Sequence, residues 1–132
     1  MTRPIVSVPS LKFKAGEAFS SHRIIPEENA VALVYDGTTH AVMMATPKDL
    51  EDFALGFSLT EGKIENANDI ANLEIVEQKT GIEVRMWLTP EAGHHAALRR
   101  RALLGPTGCG LCGVESLDQA LPPPKLVSAQ PR

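Results

Sequence analysis

Two cysteines three residues apart are the side chains best suited to chemistry in this sequence. Cys109 and Cys112 are its only cysteines, and residues 105–113 around them also contain four glycines. Glycine loses the most backbone freedom on folding, so such a segment is costly to order. A bare segment of this kind lets the backbone approach a ligand closely, or lets a thiolate move between two reaction partners. The spacing therefore predicts a chemically active loop.

Several kinds of chemistry fit this pair. Cysteines can be small buried hydrophobic residues, but the glycines leave few neighbouring side chains to bury them. A zinc site needs four ligands, and only His94 and His95 lie near enough in sequence to complete one. A thioredoxin-type redox pair lies between a strand and a helix, whereas a predicted helix precedes these cysteines. The remaining possibility is a sulfur carrier, in which a thiolate accepts sulfur as a persulfide and passes it on.

Three consecutive arginines, Arg99, Arg100 and Arg101, precede the cysteine segment. Cations near a thiol favour the thiolate, and guanidinium groups also suit phosphates. The alternative is a solvated helix end, where cations are stabilising in any case. Three consecutive residues of a helix cannot share one face, so at most two of them address the loop. His22 and His40 stand alone, and we expect both to be structural or exposed.

The elements that must position these residues are strands and helices in alternation. Residues 30–35 and 38–45 read as a hairpin about Asp36-Gly37. Thr46 and Pro47 predict the start of a helix, and Gly62 predicts its end. Apolar residues spaced i, i+3, i+4 and i+7 give this helix one buried stripe, formed by Leu50, Phe53, Ala54 and Phe57.

A second hairpin is predicted from residues 73–77 and 82–88, with alternating apolar positions on the second strand. Thr89 and Pro90 then predict a helix over 91–104, and residues 114–121 read as another short helix. The predicted organisation is an extended arm over 1–19, a domain over 20–121 and a Pro-rich frayed tail over 122–132. Two hairpins with two to three helices indicate an α/β fold, with α+β as the alternative.

The composition limits the function classes. The chain has 132 residues, 43% hydrophobic and 22% charged, as expected for one globular domain. Its net charge of −3 argues against a nucleic-acid-binding protein. No apolar run is long enough to cross a membrane, and the first ten residues lack the apolar region of a signal peptide. We therefore expect a cytoplasmic protein with no membrane or nucleic-acid partner.

Several separated motifs resemble one family. They are ALVYDG at 32–37, MMATPKDLEDFALGF at 43–57, LTEG at 59–62, the arginines at 100–101 and TGCGLCGVESL at 107–117. Together they resemble the formate dehydrogenase accessory sulfurtransferase family, FdhD/NarQ, over residues 20–121. Combined motifs in this order are far more specific than a lone Cys-x-x-Cys.

The resemblance implies a sulfur carrier, a sulfurtransferase that acts through a cysteine persulfide. It implies transfer from a cysteine desulfurase to the molybdenum cofactor, bis-molybdopterin guanine dinucleotide, which serves formate dehydrogenase. The cofactor is then an acceptor and is not permanently bound. Cys109 matches the persulfide-bearing cysteine of the family and Cys112 its partner. Residues expected near the cofactor are Arg99, Arg100, Arg101, Gly108 and Gly110, and no metal ligand is expected.

Family members are about twice as long as this chain. By resemblance, their second half completes a cytidine-deaminase-like fold and much of the pocket for the guanine dinucleotide. By the same resemblance, we expect this chain to diverge from them at Pro122. We therefore expect either a homodimer or association with the missing half, since apolar surface left exposed favours association. The alternatives to a sulfur carrier are a non-catalytic adaptor or binding fragment of the same family and a zinc-stabilised module.

Overall fold

Nine regular elements form the described part of the protein. The computed structural model describes residues 2–98, 111, 116–121 and 123–124. The six strands are β1 (Ile5–Lys14), β2 (Glu17–Pro26), β3 (Asn29–Tyr35), β4 (Thr38–Ala45), β5 (Ile70–Gln78) and β6 (Gly81–Leu88). The three α-helices are α1 (Leu50–Thr60), α2 (Pro90–Leu98) and α3 (Leu117–Ala120), and one 3-10 turn, Ala67–Asp69, precedes β5.

A four-stranded sheet with the order β4-β3-β6-β5 organises the molecule. The pairs β3–β4 and β5–β6 are antiparallel hairpins, whereas the central pair β3–β6 is parallel. In that parallel pair Val31 lies opposite Ile82 and Leu33 opposite Val84. Parallel strands need a long connection, and here β4, α1 and β5 supply it. The result is a mixed α+β fold, as the sequence predicted.

One face of this sheet, the α1 face, carries the main core. Val31, Leu33 and Tyr35 of β3 point to this face, as do alternate residues of β6. Helix α1 covers it with Leu50 and Ala54, while the rings of Phe53 and Phe57 pack at the margin. The alternation on β6 matches the prediction, because Ile82, Val84, Met86 and Leu88 are all buried.

The opposite face, called here the Leu111 face, carries a smaller core. Ala30, Ala32 and Val34 are the residues of β3 on this side, and Val42 of β4 adds to them. Helix α3 packs against β3. Its buried residues Leu117 and Ala120 join Leu111 over these small side chains.

Both predicted hairpins are present. Asp36 and Gly37 adopt positive φ angles of 47° and 81° in the turn between β3 and β4, which this pair of residues tolerates well. Strands β5 and β6 extend beyond their predicted limits and join through Lys79 and Thr80.

A further hairpin occupies the segment that the sequence indicated only as an extended arm or an edge strand. Strands β1 and β2 pair over ten residues each and form a sheet of their own. Ala15 and Gly16 turn the chain with φ angles of 51° and 83°. Pro9 obscures this hairpin in the sequence, but proline is accepted in a strand with a free edge.

Helix α1 begins later than Thr46 and Pro47 predicted. The amide of Lys48 donates to the carbonyl oxygen of Thr46, which closes a separate turn. Asp49 then occupies the N-cap position in the left-handed region, with φ 52°, and the helix starts at Leu50. The predicted end is confirmed, because Gly62 follows the helix with φ 67°. Helix α3 is shorter than the predicted 114–121.

Candidate functional site

The predicted site residues lie outside the described part of the chain. They are Cys109, Cys112, Arg99, Arg100, Arg101, Gly108 and Gly110. The structure does describe Leu111, which stands between the two cysteines, and it describes the elements on either side. The described residues nearest to the cysteines in sequence are therefore Leu111, α2 and α3.

Leu111 anchors the cysteine segment on the sheet. Its side chain is only 8% exposed and belongs to the smaller core together with Ala32 and Val34. Burying a leucine stabilises a fold by about 1.5–3 kcal/mol, so this contact holds Leu111 against the sheet.

Helix α3 makes a second anchor after the cysteines. Gly81, with φ 149°, brings the start of β6 very close to the carbonyl oxygen of Ala30, and a Cβ there would lie 2.9 Å from Cδ2 of Leu117. The hydroxyl of Thr80 also donates to Oδ1 of Asp118 at 3.5 Å. Because Gly81 has no side chain, Leu117 can pack against the sheet at this point.

Helix α2 precedes the cysteine segment in the sequence, and hydrogen bonds to Thr89 fix its first turn. Thr89 accepts hydrogen bonds from Ala92 and Gly93, at 3.4 Å on Oγ1 and 2.8 Å on the carbonyl oxygen. Oδ1 of Asp36 accepts from the amide of Leu88 at 3.1 Å, immediately before this turn. A Cβ at Gly93 would lie 3.5 Å from the other Asp36 oxygen. Asp36 therefore joins the β3–β4 turn to the start of α2.

A buried polar pair beneath α1 was not predicted from the sequence. The hydroxyls of Tyr35 and Ser58 are 2.7 Å apart, and Ser58 Oγ also donates to the carbonyl oxygen of Ala54 at 2.6 Å. Burial raises the pKa of Tyr35 to about 12, although the hydrogen bond with Ser58 opposes this shift. The phenol stays protonated at neutral pH, so the pair is structural. The available signal was the helical spacing of Leu50, Ala54 and Ser58.

His40 lies beside this pair, half-buried against two rings. Its ring centroid is 5.7 Å from that of Tyr35 and 6.2 Å from that of Phe57. Burial, and to a smaller extent the charge of Lys63, lowers the pKa of His40 to about 4. Within the described residues its buried Nε2 has no hydrogen-bond partner. His40 is therefore a neutral packing residue, whereas His22 is exposed.

A cavity of about 250 Å³ lies between the first turn of α2 and the loop that follows α1. Glu65, Asp69 and Glu91 contribute three carboxylates to its lining against the single ammonium of Lys63. Asp69 already accepts hydrogen bonds from the amides of Glu65 and Asn66. An acidic lining repels the phosphates of a dinucleotide, so this cavity does not suit such a ligand.

Neither a metal cluster nor a membrane span is found among the described residues. Across residues 2–98 and the short stretches after them, no three His, Cys, Asp or Glu side chains form a group that could hold a metal ion. Within the same residues, no helix is long and apolar enough to cross a bilayer.

A family model relates this architecture to known proteins. The FdhD/NarQ model matches residues 26–131, which include every element from β3 onward and both cysteines. The chain belongs to the FdhD/NarQ family. FdhD/NarQ membership confirms the resemblance drawn from the motifs.

Similar proteins agree with this assignment. A sulfur carrier protein FdhD from Cupriavidus necator is 51% identical over 110 residues, covering 83% of this chain and 38% of that protein. A protein of the same name from Agrobacterium fabrum is 49% identical over 108 residues, covering 82% of this chain and 40% of its own length. This FdhD/NarQ chain thus spans about two-fifths of those relatives.

A solved structure has a similar fold. The crystal structure of a protein from Desulfotalea psychrophila, described as a formate dehydrogenase accessory protein, matches with a TM-score of 0.56 at 22% identity. The match covers 65% of this chain and 35% of that one. At this identity the likeness concerns the FdhD/NarQ fold alone.

Proposed function

We propose that this chain carries sulfur as a persulfide on Cys109 and delivers it for the maturation of formate dehydrogenase. The observation that carries the proposal is that an FdhD/NarQ chain about 50% identical to proteins named as sulfur carriers has only two cysteines, three residues apart. A sulfane sulfur bound covalently as a persulfide must reside on one of them. The glycines on both sides of Cys109 leave its thiol open to a large partner.

The chemistry is thiol–persulfide exchange. The Cys109 thiolate attacks the terminal sulfur of a cysteine persulfide on a desulfurase. A new S–S bond forms to Cys109, the S–S bond of the desulfurase breaks, and the desulfurase cysteine leaves as a thiolate. The proton on the terminal sulfur stays with it, so the exchange needs no external oxidant or reductant.

Delivery is the second half of the proposal. The acceptor is the molybdenum cofactor, bis-molybdopterin guanine dinucleotide, which is a substrate of the transfer. Arg99, Arg100 and Arg101 would attract its phosphates, since guanidinium groups bind them in bidentate fashion. Cys112 would either take over the terminal sulfur by exchange with the Cys109 persulfide, or attack the Cys109 sulfur so that a Cys109–Cys112 disulfide forms, the persulfide S–S bond breaks and the terminal sulfur leaves as hydrosulfide.

The buried position of Leu111 supports this assignment. Cys112 follows Leu111 directly in the sequence and Cys109 precedes it by two residues. Leu111 itself is therefore fixed on the sheet, and in the sequence glycines at 108, 110 and 113 adjoin the two cysteines, residues that favour the backbone freedom exchange requires. A redox pair or a zinc module would need neither a desulfurase nor a sulfur acceptor.

Mass spectrometry after incubation with a cysteine desulfurase and cysteine tests the proposal. The wild-type chain and Cys112→Ser should each gain one sulfur atom, whereas Cys109→Ser should not. If Cys109→Ser acquires sulfur at the wild-type level and Cys112→Ser does not, the two roles are reversed. If the wild-type chain gains no sulfur, the carrier function is wrong.

A non-catalytic adaptor is the second candidate, and the short length favours it. This chain covers only 38–40% of the two relatives. An adaptor would bind the desulfurase or the dehydrogenase without accepting sulfur, so co-purification without a persulfide would identify it. Elemental analysis separates both from a zinc module, which would retain one zinc per chain and unfold on chelation.

A further inference from the structure

Half of the Leu111 face lies outside the smaller core. Among the described residues, that core consists of side chains from β3, β4 and α3 together with Leu111, and it includes none from β5 or β6. The other half of the face is formed by alternate residues of β6 and the residues opposite them on β5, and is called here the Trp87 face. Its three cross-strand pairs are Asn72–Trp87, Glu74–Arg85 and Val76–Glu83.

Trp87 is exposed although it stands between two buried residues. It is the only tryptophan of the chain and is 38% exposed, whereas Met86 and Leu88 are buried on the α1 face. Arg85 lies two residues before it on the same face. Tryptophan and arginine are enriched among the few residues that dominate binding at protein interfaces, and a tryptophan buries about 150–250 Å² when it is covered. The pair therefore indicates the centre of a protein contact.

The charges of the Trp87 face select the kind of partner. Nε of Arg85 donates to Oε2 of Glu83 at 2.8 Å, and Nη2 of the same guanidinium lies 2.8 Å from that oxygen. Glu74 lies opposite Arg85 on β5, so two carboxylates face one guanidinium. A surface with excess negative charge repels the phosphates of a nucleotide and attracts a basic protein surface. The partner that fits offers an apolar recess for Trp87 and a Lys or Arg beside Glu74.

The Trp87 face adjoins the place where Leu111 packs. Val34 of β3 pairs with Arg85 of β6 and belongs to the same core as Leu111. Neighbouring strands are about 4.8 Å apart and each residue rises about 3.3 Å, so the Cα atoms of Val34 and Trp87 are roughly 8 Å apart. A specific interface covers about 800 Å² on each partner. A partner centred on Trp87 therefore also covers the surface around Leu111, the residue between the two cysteines in the sequence.

We propose that the Trp87 face is the surface on which the cysteine desulfurase docks. This inference rests on the proposed function, in which the desulfurase carries sulfur on one of its own cysteines and must bring it to Cys109. Such a donor brings no phosphate to the contact, whereas the molybdenum cofactor does, and the carboxylates of this face therefore favour the donor. Trp87 and Glu74 bind the donor and take no part in the exchange of sulfur.

Calorimetry of the full chain with each purified cysteine desulfurase of the same organism tests the inference. Trp87→Ala and Ile75→Ala are a matched pair, because the two side chains are 38% and 39% exposed on opposite faces of the β5–β6 hairpin. Trp87→Ala should weaken binding at least tenfold, whereas Ile75→Ala should change it by less than about threefold. Equal effects of the two alanines would overturn the inference, as would a wild-type chain that binds no desulfurase at about 100 μM.

A second variant tests the charge of the face. Glu74→Lys should weaken binding at least threefold at low salt, and the loss should diminish as the salt concentration rises. Glu51→Lys changes the net charge equally at an exposed position of α1, on the other side of the sheet, and should have the smaller effect. Thermal unfolding checks the fold of each variant, and Glu74→Lys decides if Trp87→Ala does not fold. Binding of Glu74→Lys at the wild-type affinity would contradict the inference.

Mass spectrometry of the same mixtures separates this inference from the proposed function. If Trp87→Ala binds the desulfurase and gains sulfur as the wild-type chain does, the carrier function stands and the docking surface is wrong. If the wild-type chain binds through Trp87 but gains no sulfur, the docking surface stands and the carrier function is wrong. A Trp87→Ala chain that loses binding to formate dehydrogenase, and not to the desulfurase, would assign the face to the acceptor and overturn the inference.

Discussion

Ser58 occupies a position where a helix residue is expected to be apolar, and its two hydrogen bonds explain why the core accepts it. It bonds Tyr35 on the sheet and Ala54 on its own helix. A buried hydroxyl left without a partner costs about 1–3 kcal/mol, whereas a satisfied one contributes about 1 kcal/mol. The Tyr35 hydroxyl bonds Ser58, whereas Ser58 bonds Ala54 as well.

Ser58→Ala should therefore destabilise the protein more than Tyr35→Phe. The first change leaves the phenol buried without its partner, at a cost of about 2 kcal/mol, while the second leaves Ser58 bonded to Ala54 and costs about 1 kcal/mol. The double variant should cost less than the two single changes added together. Urea denaturation measures all three free energies of unfolding, and strict additivity would contradict the coupling.

His40 gives stability a dependence on pH. Its pKa is about 4 in the folded protein against 6.5 as its ordinary value, so between these values the unfolded chain binds more protons. Stability therefore rises with pH through this window and falls as the pH decreases from 6.5 to 4. Because the side chain is half-exposed, solvent screening limits the change to roughly 1–2 kcal/mol.

Replacing His40 by Gln should flatten the rise in unfolding free energy between pH 4 and 6.5. His22→Gln removes an exposed histidine and is the matched control, which should keep the slope that His40 provides. Urea denaturation at several pH values gives the comparison. A slope that survives in His40→Gln would assign the pH dependence to another group.

At the scale of elements, local sequence patterns predicted some strands and turns but not the pairing of distant strands. The Asp36-Gly37 turn and the alternation of β6 are local, and the sequence predicted them. The parallel pairing of β3 with β6 joins residues about fifty positions apart in the chain, and no periodicity encodes it. Proline and glycine usually occur in turns and loops, so Pro9 and Gly16 did not indicate the two strands of the β1–β2 hairpin.

The sequence predicted which residues form the candidate site but not where in the fold they lie. Glycines and cysteines at 105–113 indicate chemistry through their spacing, but they carry no apolar pattern that assigns the segment to a sheet face. Leu111 packs on the face that carries Ala30 and Ala32, whose small side chains leave space for it. That space is visible only in the folded structure. Ser58 was not part of the predicted apolar stripe; it continues the helical spacing of Leu50 and Ala54, but serine alone does not distinguish a buried from an exposed position.

Gly81 and Gly56 should respond in opposite ways to alanine. A Cβ at Gly81 would overlap the carbonyl oxygen of Ala30, and φ 149° is unfavourable for alanine, whereas nothing lies within 4 Å of a Cβ at Gly56 in α1. Gly81→Ala should therefore destabilise the protein by more than about 1 kcal/mol. Gly56→Ala should stabilise it by about 0.5–1 kcal/mol, since alanine favours helix. Denaturant titration measures both, and a stabilised Gly81→Ala would contradict the close approach of β6 to β3.

At the scale of the whole molecule, length governs what the chain can bind. Sites for large cofactors enclose most of the ligand with walls from several elements. This chain spans 38% of its relative from Cupriavidus necator, and the cavity in its described part has an acidic lining. In the proposed function, the cysteines and arginines act on a ligand that other structure encloses.

We therefore expect the chain alone to bind GDP, a surrogate for the guanine dinucleotide, only weakly. Attraction of phosphates to a few arginines at a surface is screened at cellular salt. Calorimetry at two salt concentrations should show weak binding that disappears at the higher one. A salt-resistant affinity below about 1 μM, or roughly 8 kcal/mol, would show that this chain has a complete pocket.

The parallel pairing of β3 with β6 also determines an order of events during synthesis. The hairpins β3–β4 and β5–β6 can form within microseconds of their emergence, but closing the sheet must wait until β6 is available. The main core needs residues from Val31 to Ala92, whereas the smaller core waits for Leu111, Leu117 and Ala120. A nascent chain can therefore finish its α1 face before the later residues emerge from the ribosome, and Leu111 and α3 then pack onto a sheet that is already assembled.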